Sequence, residues 1–341
     1  MDLTLQAPAQ PVVIDWPRVR IALTYLWRHR RLPDLAEPRR FTELVQTRKL
    51  FDRDPRLSQL SDKLAVKTIV AEMLGRGWCV PTLWSGTQLP PGPPFGTPSV
   101  VKSRHGCNQY AFLRSAPTPD QWQRLRRHIA GWTARPYGEW LDEWLYRDIP
   151  RGLLAEPMIG GGGTLPVDYK IYVFGGRATH VQVHLERETR HRWVLHDRHW
   201  QPLARDLRDR PPPPRSLAGM LEAAEVLARG LSFARVDFYE DKGKPLFGEF
   251  SFYPGSGLDP FAEDWIDFEL GSLWRAALAD HGLPGATPKG ANAPPGTAEA
   301  IGLATPPALR ELTPNTQSSP RTPSSRALVA TTSAITGCGS Q

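Results

Sequence analysis

The chain of 341 residues is 40% hydrophobic and 23% charged, enough for one large or two small globular domains with a substantial core. No run approaches about 18 consecutive apolar residues, which excludes a membrane-spanning helix, and the N-terminus lacks the basic start and apolar stretch of a secretory signal. The formal charge of +7 comes mainly from arginine in a chain with 35 prolines. That usage reads as coding bias, and such an excess steers phosphate-bearing ligands without requiring a nucleic-acid partner. Cys79, Cys107 and Cys338 stand far apart with no CxxC spacing, so neither a disulfide framework nor a zinc cluster is expected, and a reducing cytoplasm is the natural compartment.

Residues 15–74 read as helices. Val19, Leu23, Leu26 and Trp27 recur at helical spacing and are expected to pack in a helical lobe, with Arg28 to Arg31 closing the element. A second helix begins near Thr42 and carries Leu44, Val45 and Leu50. Ser61-Asp62 looks like the cap of a third, bearing Leu64, Ile69, Val70 and Met73 and stopped by Gly75 and Gly77. Residues 99–102 then form a strand after the Pro/Gly-rich loop 89–98, and Gly106 supplies a turn. A helix is expected over 121–132 and a short strand over 153–156. The glycine run 160–163 connects to a strand over 169–174, which turns at Gly175-Gly176 and returns over 178–185. Another hairpin strand lies within 191–200, and prolines 211–214 lead to a helix over 216–229. Strands over 234–239 and 245–252 flank the turn Asp241-Lys242-Gly243. Residues 285–341 are rich in Pro, Ser, Thr, Ala and Gly and carry +2 of the charge; they read as a disordered tail. The sense is α+β: an N-terminal helical segment (1–75), a first lobe (76–155), a second lobe rich in antiparallel hairpins (156–284), and the tail (285–341).

Asp237 and Glu249 lie on two strands of one hairpin. Side chains alternate with period two, so the carboxylates can project from one sheet face, and Ser251 would share it. Two carboxylates and a hydroxyl suit Mg²⁺, a hard cation that usually binds with substrate phosphates; a solvated polar face is the competing explanation. Lysine is scarce, which singles out Lys63, Lys102 and Lys170. Lys170 sits in an otherwise apolar strand, where an ammonium is costly unless it meets an anion. That anion is either a phosphate or Asp168, two residues earlier on the same face. Lys63 alone reads as an exposed first-turn residue. No P-loop or GxSxG motif occurs, and 160–163 is a flexible connection. His180 and His184 would be a metal pair on a helix, but their context is strand-like.

The order of these features resembles the ATP-grasp fold, and more narrowly the TupA-like (teichuronopeptide biosynthesis) ATP-grasp family of bacterial polysaccharide loci. The pieces that carry the resemblance are FTELVQTRKLFDRDPRLSQLSDKLAVK, SVVKSRHG, LLAEPMI, DYKIYVFGGR, FARVDFYEDKGKPLFGEFSFYPGSG and FAEDWIDFELG, in order across roughly residues 38–275. The resemblance implies that Lys102 contacts nucleotide phosphates, with His105 and Gly106 in the phosphate-covering loop. Glu156, Met158 and Ile159 would lie near adenine and ribose. Lys170 would be the second cation over the phosphates, and Asp237, Glu249 and Ser251 would hold magnesium. Lys63, in the SDK motif, becomes a ligand contact; Arg187 and Arg235 become candidates for holding an acidic substrate or an acyl phosphate.

The sequence departs from relatives in three places. Leu44 stands where they commonly carry lysine, Ser251 replaces the asparagine of ligases generally, and SRHGCNQ is less glycine-rich than common phosphate loops. The implied activity is an ATP- and Mg²⁺-dependent carboxylate–amine ligase acting through an acyl phosphate in cell-surface polysaccharide biosynthesis. Its partners would be a small-molecule or glycan-precursor carboxylate and an amine. An ATP-dependent phosphotransferase and a non-catalytic nucleotide-binding protein are the alternatives.

Overall fold

The structure, a computed structural model, describes residues 15–189, 191–203 and 211–280. The expected tail over 285–341 lies outside the described residues. Four helices come first. α1 (Trp16–His29) starts on Asp15, whose carboxylate accepts from the Arg18 N–H, with a proline in its first turn. α2 (Phe41–Phe51) is capped by Glu43, which reaches back to the N–H groups of Arg39 and Arg40. α3 (Pro55–Ser61) ends where the Ser61-Asp62 cap is expected. Asp62 alone does the capping, accepting from Leu64 N at 3.0 Å at the head of α4 (Ala65–Leu74).

A four-stranded sheet follows, comprising β1 (Trp84–Gly86), β2 (Ser99–Ser103), β3 (Tyr110–Leu113) and β4 (Leu153–Pro157) in the order β1-β4-β2-β3. Trp122 and Ile129 of α5 (Pro119–Ala134) pack on it against Val101, Leu113, Leu153 and Ala155. The larger sheet has the order β7-β6-β5-β8-β9, antiparallel throughout. Its strands are β5 (Asp168–Phe174), β6 (Arg177–Leu185), β7 (Arg192–Asp197), β8 (Phe233–Asp241) and β9 (Lys244–Ser251). α6 (Leu217–Leu227) and α7 (Asp264–Asp280) pack against it. No described helix is long and apolar enough to cross a membrane.

Helices α2 to α4 share the core of the larger sheet: Phe41, Leu44, Val45, Leu57, Val66 and Val70 belong to one buried cluster with Tyr172, Phe174, Phe233 and Trp274. Phe41 is its hub, with its ring centroid 5.0–6.2 Å from those of Tyr172, Phe174, Phe233, Phe261 and Trp274. Asp267 of α7 holds the start of α2 by accepting from Thr42 N (2.9 Å) and Thr42 Oγ1 (2.7 Å). α7 meets the chain entering α2 so closely that a Cβ on Gly271 would overlap the Arg39 carbonyl oxygen.

The first helix departs from expectation. Its buried residues are Ile21 and Tyr25, while Val19, Leu23, Leu26 and Trp27 are exposed. Periodicity located the helix correctly, but the stripe that meets the core is the opposite one. Met73 is likewise exposed and Ile69 half-buried. The elements β1, β3, α3 and α7 had no expectation; the first three are short, at 3, 4 and 7 residues.

Phe41→Ala should lower unfolding stability by about 3–5 kcal/mol, because it opens a cavity beneath five rings. Urea denaturation checks this, and a loss below about 1 kcal/mol would contradict the packing described.

Candidate active site

One face of the larger sheet changes from aromatic to charged along its strands. Phe174 of β5 stands opposite Phe233 of β8, inside the core. The next row places Tyr172, Arg235 and Ser251 in register, and the one after it Gln182, Lys170, Asp237 and Glu249. Beyond lies the row of His184, Asp168 and Tyr239. The alignment of Asp237 with Glu249 depends on a β-bulge. Asp241 pairs with Lys244 and Phe238 with Phe247, yet Asp237 pairs with Glu249, so Gly248 is the extra residue. Without it, Phe247 and Glu249 would share a face; with it, Phe247 enters the core and Glu249 joins the charged rows. A side chain at 248 would crowd the Asp237 carbonyl and the Tyr239 ring, both 3.1 Å from a Cβ built there.

The charges in these rows are buried and mutually paired. Lys170 Nζ lies 2.5 Å from Asp237 Oδ2 and 2.7 Å from Asp168 Oδ2. Arg235 grips Asp237 with two bonds, Nε to Oδ1 at 2.8 Å and Nη2 to Oδ2 at 2.9 Å. Arg187 Nη1 stands 3.6 Å from Asp168 Oδ2. Lys63 Nζ donates to the Gly106 carbonyl (2.7 Å) and lies 3.4 Å from Glu249 Oε2. Burial alone would raise the Asp237 carboxyl, but Arg235 and Lys170 outweigh it and hold the group well below the usual carboxylate range. Glu249 is lowered in the same way against burial, chiefly by Lys63. Lys170 is raised despite burial, because Asp168 and Asp237 flank it.

Beside the rows is an apolar slot of ≈ 90 Å³ that Val100, Phe112, Met158 and Ile159 help to line. Lys102 and Glu156 stand in it, and Arg187 and Tyr239 join it to the charged rows. Glu156 is buried between two ammonium groups, Lys102 Nζ at 2.6 Å and Lys67 Nζ. Both hold its carboxyl low against the opposing effect of burial.

The structure therefore brings together Lys102, Glu156, Met158, Ile159 and Arg187 in the slot, and Lys170, Arg235, Asp237 and Glu249 on the sheet face, with Lys63 reaching Glu249 from the head of α4. Ser251 faces Arg235 across the ladder. His105 is fully buried, and both ring nitrogens meet backbone, Nε2 at Trp132 O (3.0 Å) and Nδ1 at Gly152 N (3.4 Å). A Cβ on Gly106 would crowd Gln109 Oε1 (2.5 Å) and Ser103 Oγ (2.9 Å), so those side chains would have to shift. Three participants escaped sequence reasoning: Lys67, Tyr239, and Asp168 as more than a partner for Lys170. Lysine scarcity is the signal that could have found Lys67. Arg104 clamps Asp62 (Nε to Oδ1, 2.6 Å), which ties the SDK segment to the loop after β2.

Asp237 and Glu249 are two lowered carboxylates in one row, the oxygen chemistry that Mg²⁺ takes, although among the described residues no three His, Cys, Asp or Glu side chains gather as a metal cluster.

The lowered carboxylates give the fold an acid limit. A group with a depressed folded pKa contributes stability above its unfolded value, near 4, and that contribution is lost as pH falls through the folded value. Stability measured by urea denaturation should fall from pH 5 to pH 3, and Asp237→Asn should flatten that slope. An unchanged slope would contradict the depressed Asp237.

Residues 123–275 match the profile of the family described as TupA-like ATPgrasp. Among solved structures, the chain is similar to a D-alanine–D-alanine ligase from Bacillus anthracis complexed with ATP, with 14% identity, 66% of this chain and 68% of that one covered, and a TM-score of 0.39. It is also similar to the ATP-grasp ligase PsnB complexed with a phosphomimetic variant of its minimal precursor, Mg and ADP (12%, 67% and 60%, 0.35). An L-amino acid ligase from Bacillus licheniformis is a third (14%, 63% and 48%, 0.38). The chain thus spans less than two thirds of the latter two structures. No curated protein matches it. Residues 123–275, a little under half of the chain, thus carry the likeness to the TupA-like ATP-grasp family, and they include Lys170, Asp237 and Glu249 of the charged rows.

Proposed function

We propose that this protein is an ATP- and Mg²⁺-dependent carboxylate–amine ligase. The observation that carries the reading is the in-register row Lys170, Asp237 and Glu249 beside the slot that holds Lys102. The apolar walls of the slot suit a flat base. Lys102 and Lys170 supply cations for a polyphosphate, while Arg187 and Arg235 can hold a carboxylate or acyl phosphate. In the reaction, a substrate carboxylate oxygen attacks the γ-phosphorus of ATP and ADP departs. An amine then attacks the acyl carbon, inorganic phosphate leaves, and an amide remains.

The chain's task in the first step is alignment and charge neutralisation. Lys170 and Arg235 already sit on Asp237, so an arriving phosphate can accept from cations that are in place. Mg²⁺ held by Asp237 and Glu249, with Ser251 nearby, would draw charge from the phosphoryl oxygens. The sequence resemblance to a family of polysaccharide loci suggests a cell-surface polysaccharide precursor, or an amino acid destined for one, as the carboxylate or amine. ATP consumption places such a step in the cytoplasm.

Incubation with ATP, Mg²⁺, hydroxylamine and a panel of amino acids and sugar acids should yield a hydroxamate. Asp237→Asn and Glu249→Gln should each lower ADP release by about 10²–10³-fold, and Glu249→Gln, the more loosely paired of the two, should keep the fold by circular dichroism. Lys102→Ala should raise the KM for ATP more than it lowers kcat. Substrate-dependent ADP release without hydroxamate would instead favour phosphate transfer to a hydroxyl. ATP binding without turnover would leave a non-catalytic nucleotide-binding protein.

A further inference from the structure

Glu156 is a buried carboxylate on the wall of the slot, and it has two counter-ions where one would neutralise it. Lys67 takes Oε1, and Lys102 takes Oε2 at 2.6 Å. Burial alone would raise that carboxyl, yet Lys102 and Lys67 together hold it low. Among the described residues, no other carboxylate pairs with either lysine. The cluster thus carries one positive charge in excess beside an apolar cavity, where an unmatched ion is costly. A surplus cation in that position points to a second anion that shares it.

The two lysines are held differently. Lys67, on α4, uses all three N–H bonds of its ammonium: one meets Glu156, and the others reach Val80 O and Thr82 Oγ1, each at 2.8 Å. Cys79 Sγ donates to the Lys67 carbonyl at 3.5 Å, which ties the segment leading into β1 back to α4. Lys102, on β2, donates only to Glu156 among the described residues, and its neighbours across the ladder are Tyr110 and Leu154. An ammonium has three donors, so Lys102 keeps two for another acceptor. Lys102 lines the slot, whereas Lys67 is not among the residues that do. A ligand in the slot therefore meets Lys102 and not Lys67.

We infer that Lys67 is the standing counter-ion of Glu156, and that it frees Lys102 to turn from Glu156 onto the phosphates of a nucleotide in the slot. The inference rests on the nucleotide reading given above. With Lys67 in place, the departure of Lys102 leaves Glu156 paired. Without Lys67, the same movement would strand a buried carboxylate, so Lys102 would stay where it is and phosphate binding would weaken. Lys67 is in this sense a positioning residue: it sets how freely Lys102 reaches the nucleotide without touching the nucleotide itself.

Calorimetric titration of the full chain with a non-hydrolysable ATP analogue and Mg²⁺ tests this. Lys67→Met should raise the Kd about tenfold or more, while Lys67→Arg, which keeps the charge, should stay within about threefold of the wild type. In a Glu156→Gln background, adding Lys67→Met should change the Kd by less than about threefold, because no buried charge is left to strand. Unchanged affinity in Lys67→Met would overturn the inference. So would an equal loss in both backgrounds, the mark of a merely structural role or a direct contact. Loss of binding by Glu156→Gln alone would overturn it too, since the carboxylate would then serve the nucleotide directly. A wild type that binds no nucleotide would instead remove the nucleotide reading, and the inference with it.

Discussion

The rest of the site depends on the burial of Asp237 between Lys170 and Arg235. A lone carboxylate on an inner sheet row would be prohibitively costly, and so would either cation. Together, with Asp168 behind Lys170, they form a network in which each charge is stabilised by a neighbour of opposite sign. The net effect is a surface of preset charge within a low-dielectric cleft, where electrostatic interactions are stronger than in water. Glu249 extends the row and is balanced more loosely, by Lys63 at 3.4 Å.

The same sheet face joins stability to chemistry. Its Phe174–Phe233 end lies under Phe41 and Trp274, and Arg48 reaches from α2 to the Phe233 carbonyl at 3.0 Å. The strands that carry Lys170 and Asp237 are thereby anchored at one end by aromatic packing, which limits the freedom of the charged end. Lys63, just before α4, links the first lobe to this surface, its ammonium spanning Gly106 and Glu249. The slot meets it through Arg187.

Much of this was legible in the sequence, for reasons that differ by element. The β5–β6 and β8–β9 hairpins announced themselves by β-rich runs around Gly175-Gly176 and Asp241-Lys242-Gly243. Period two put Asp237 and Glu249 on one face, but the register alone would have paired Asp237 with Gly248; the bulge that restores the alignment carries no readable signal beyond that glycine. Lys170 was seen as facing either a phosphate or Asp168, and the fold gives it Asp168 and Asp237 both. The exposed side of α1 was illegible because periodicity identifies a stripe without saying what covers it. Lys67 was missed because its role arises only when β4 brings Glu156 beside α4.

The central claim is that the charged rows and the slot form one magnesium–nucleotide site. Calorimetric titration with a non-hydrolysable ATP analogue, with and without Mg²⁺, tests it most directly. The account predicts binding that weakens at least about tenfold without Mg²⁺ and loses that dependence in Glu249→Gln. Binding indifferent to Mg²⁺, or a magnesium effect undiminished in the variant, would contradict it.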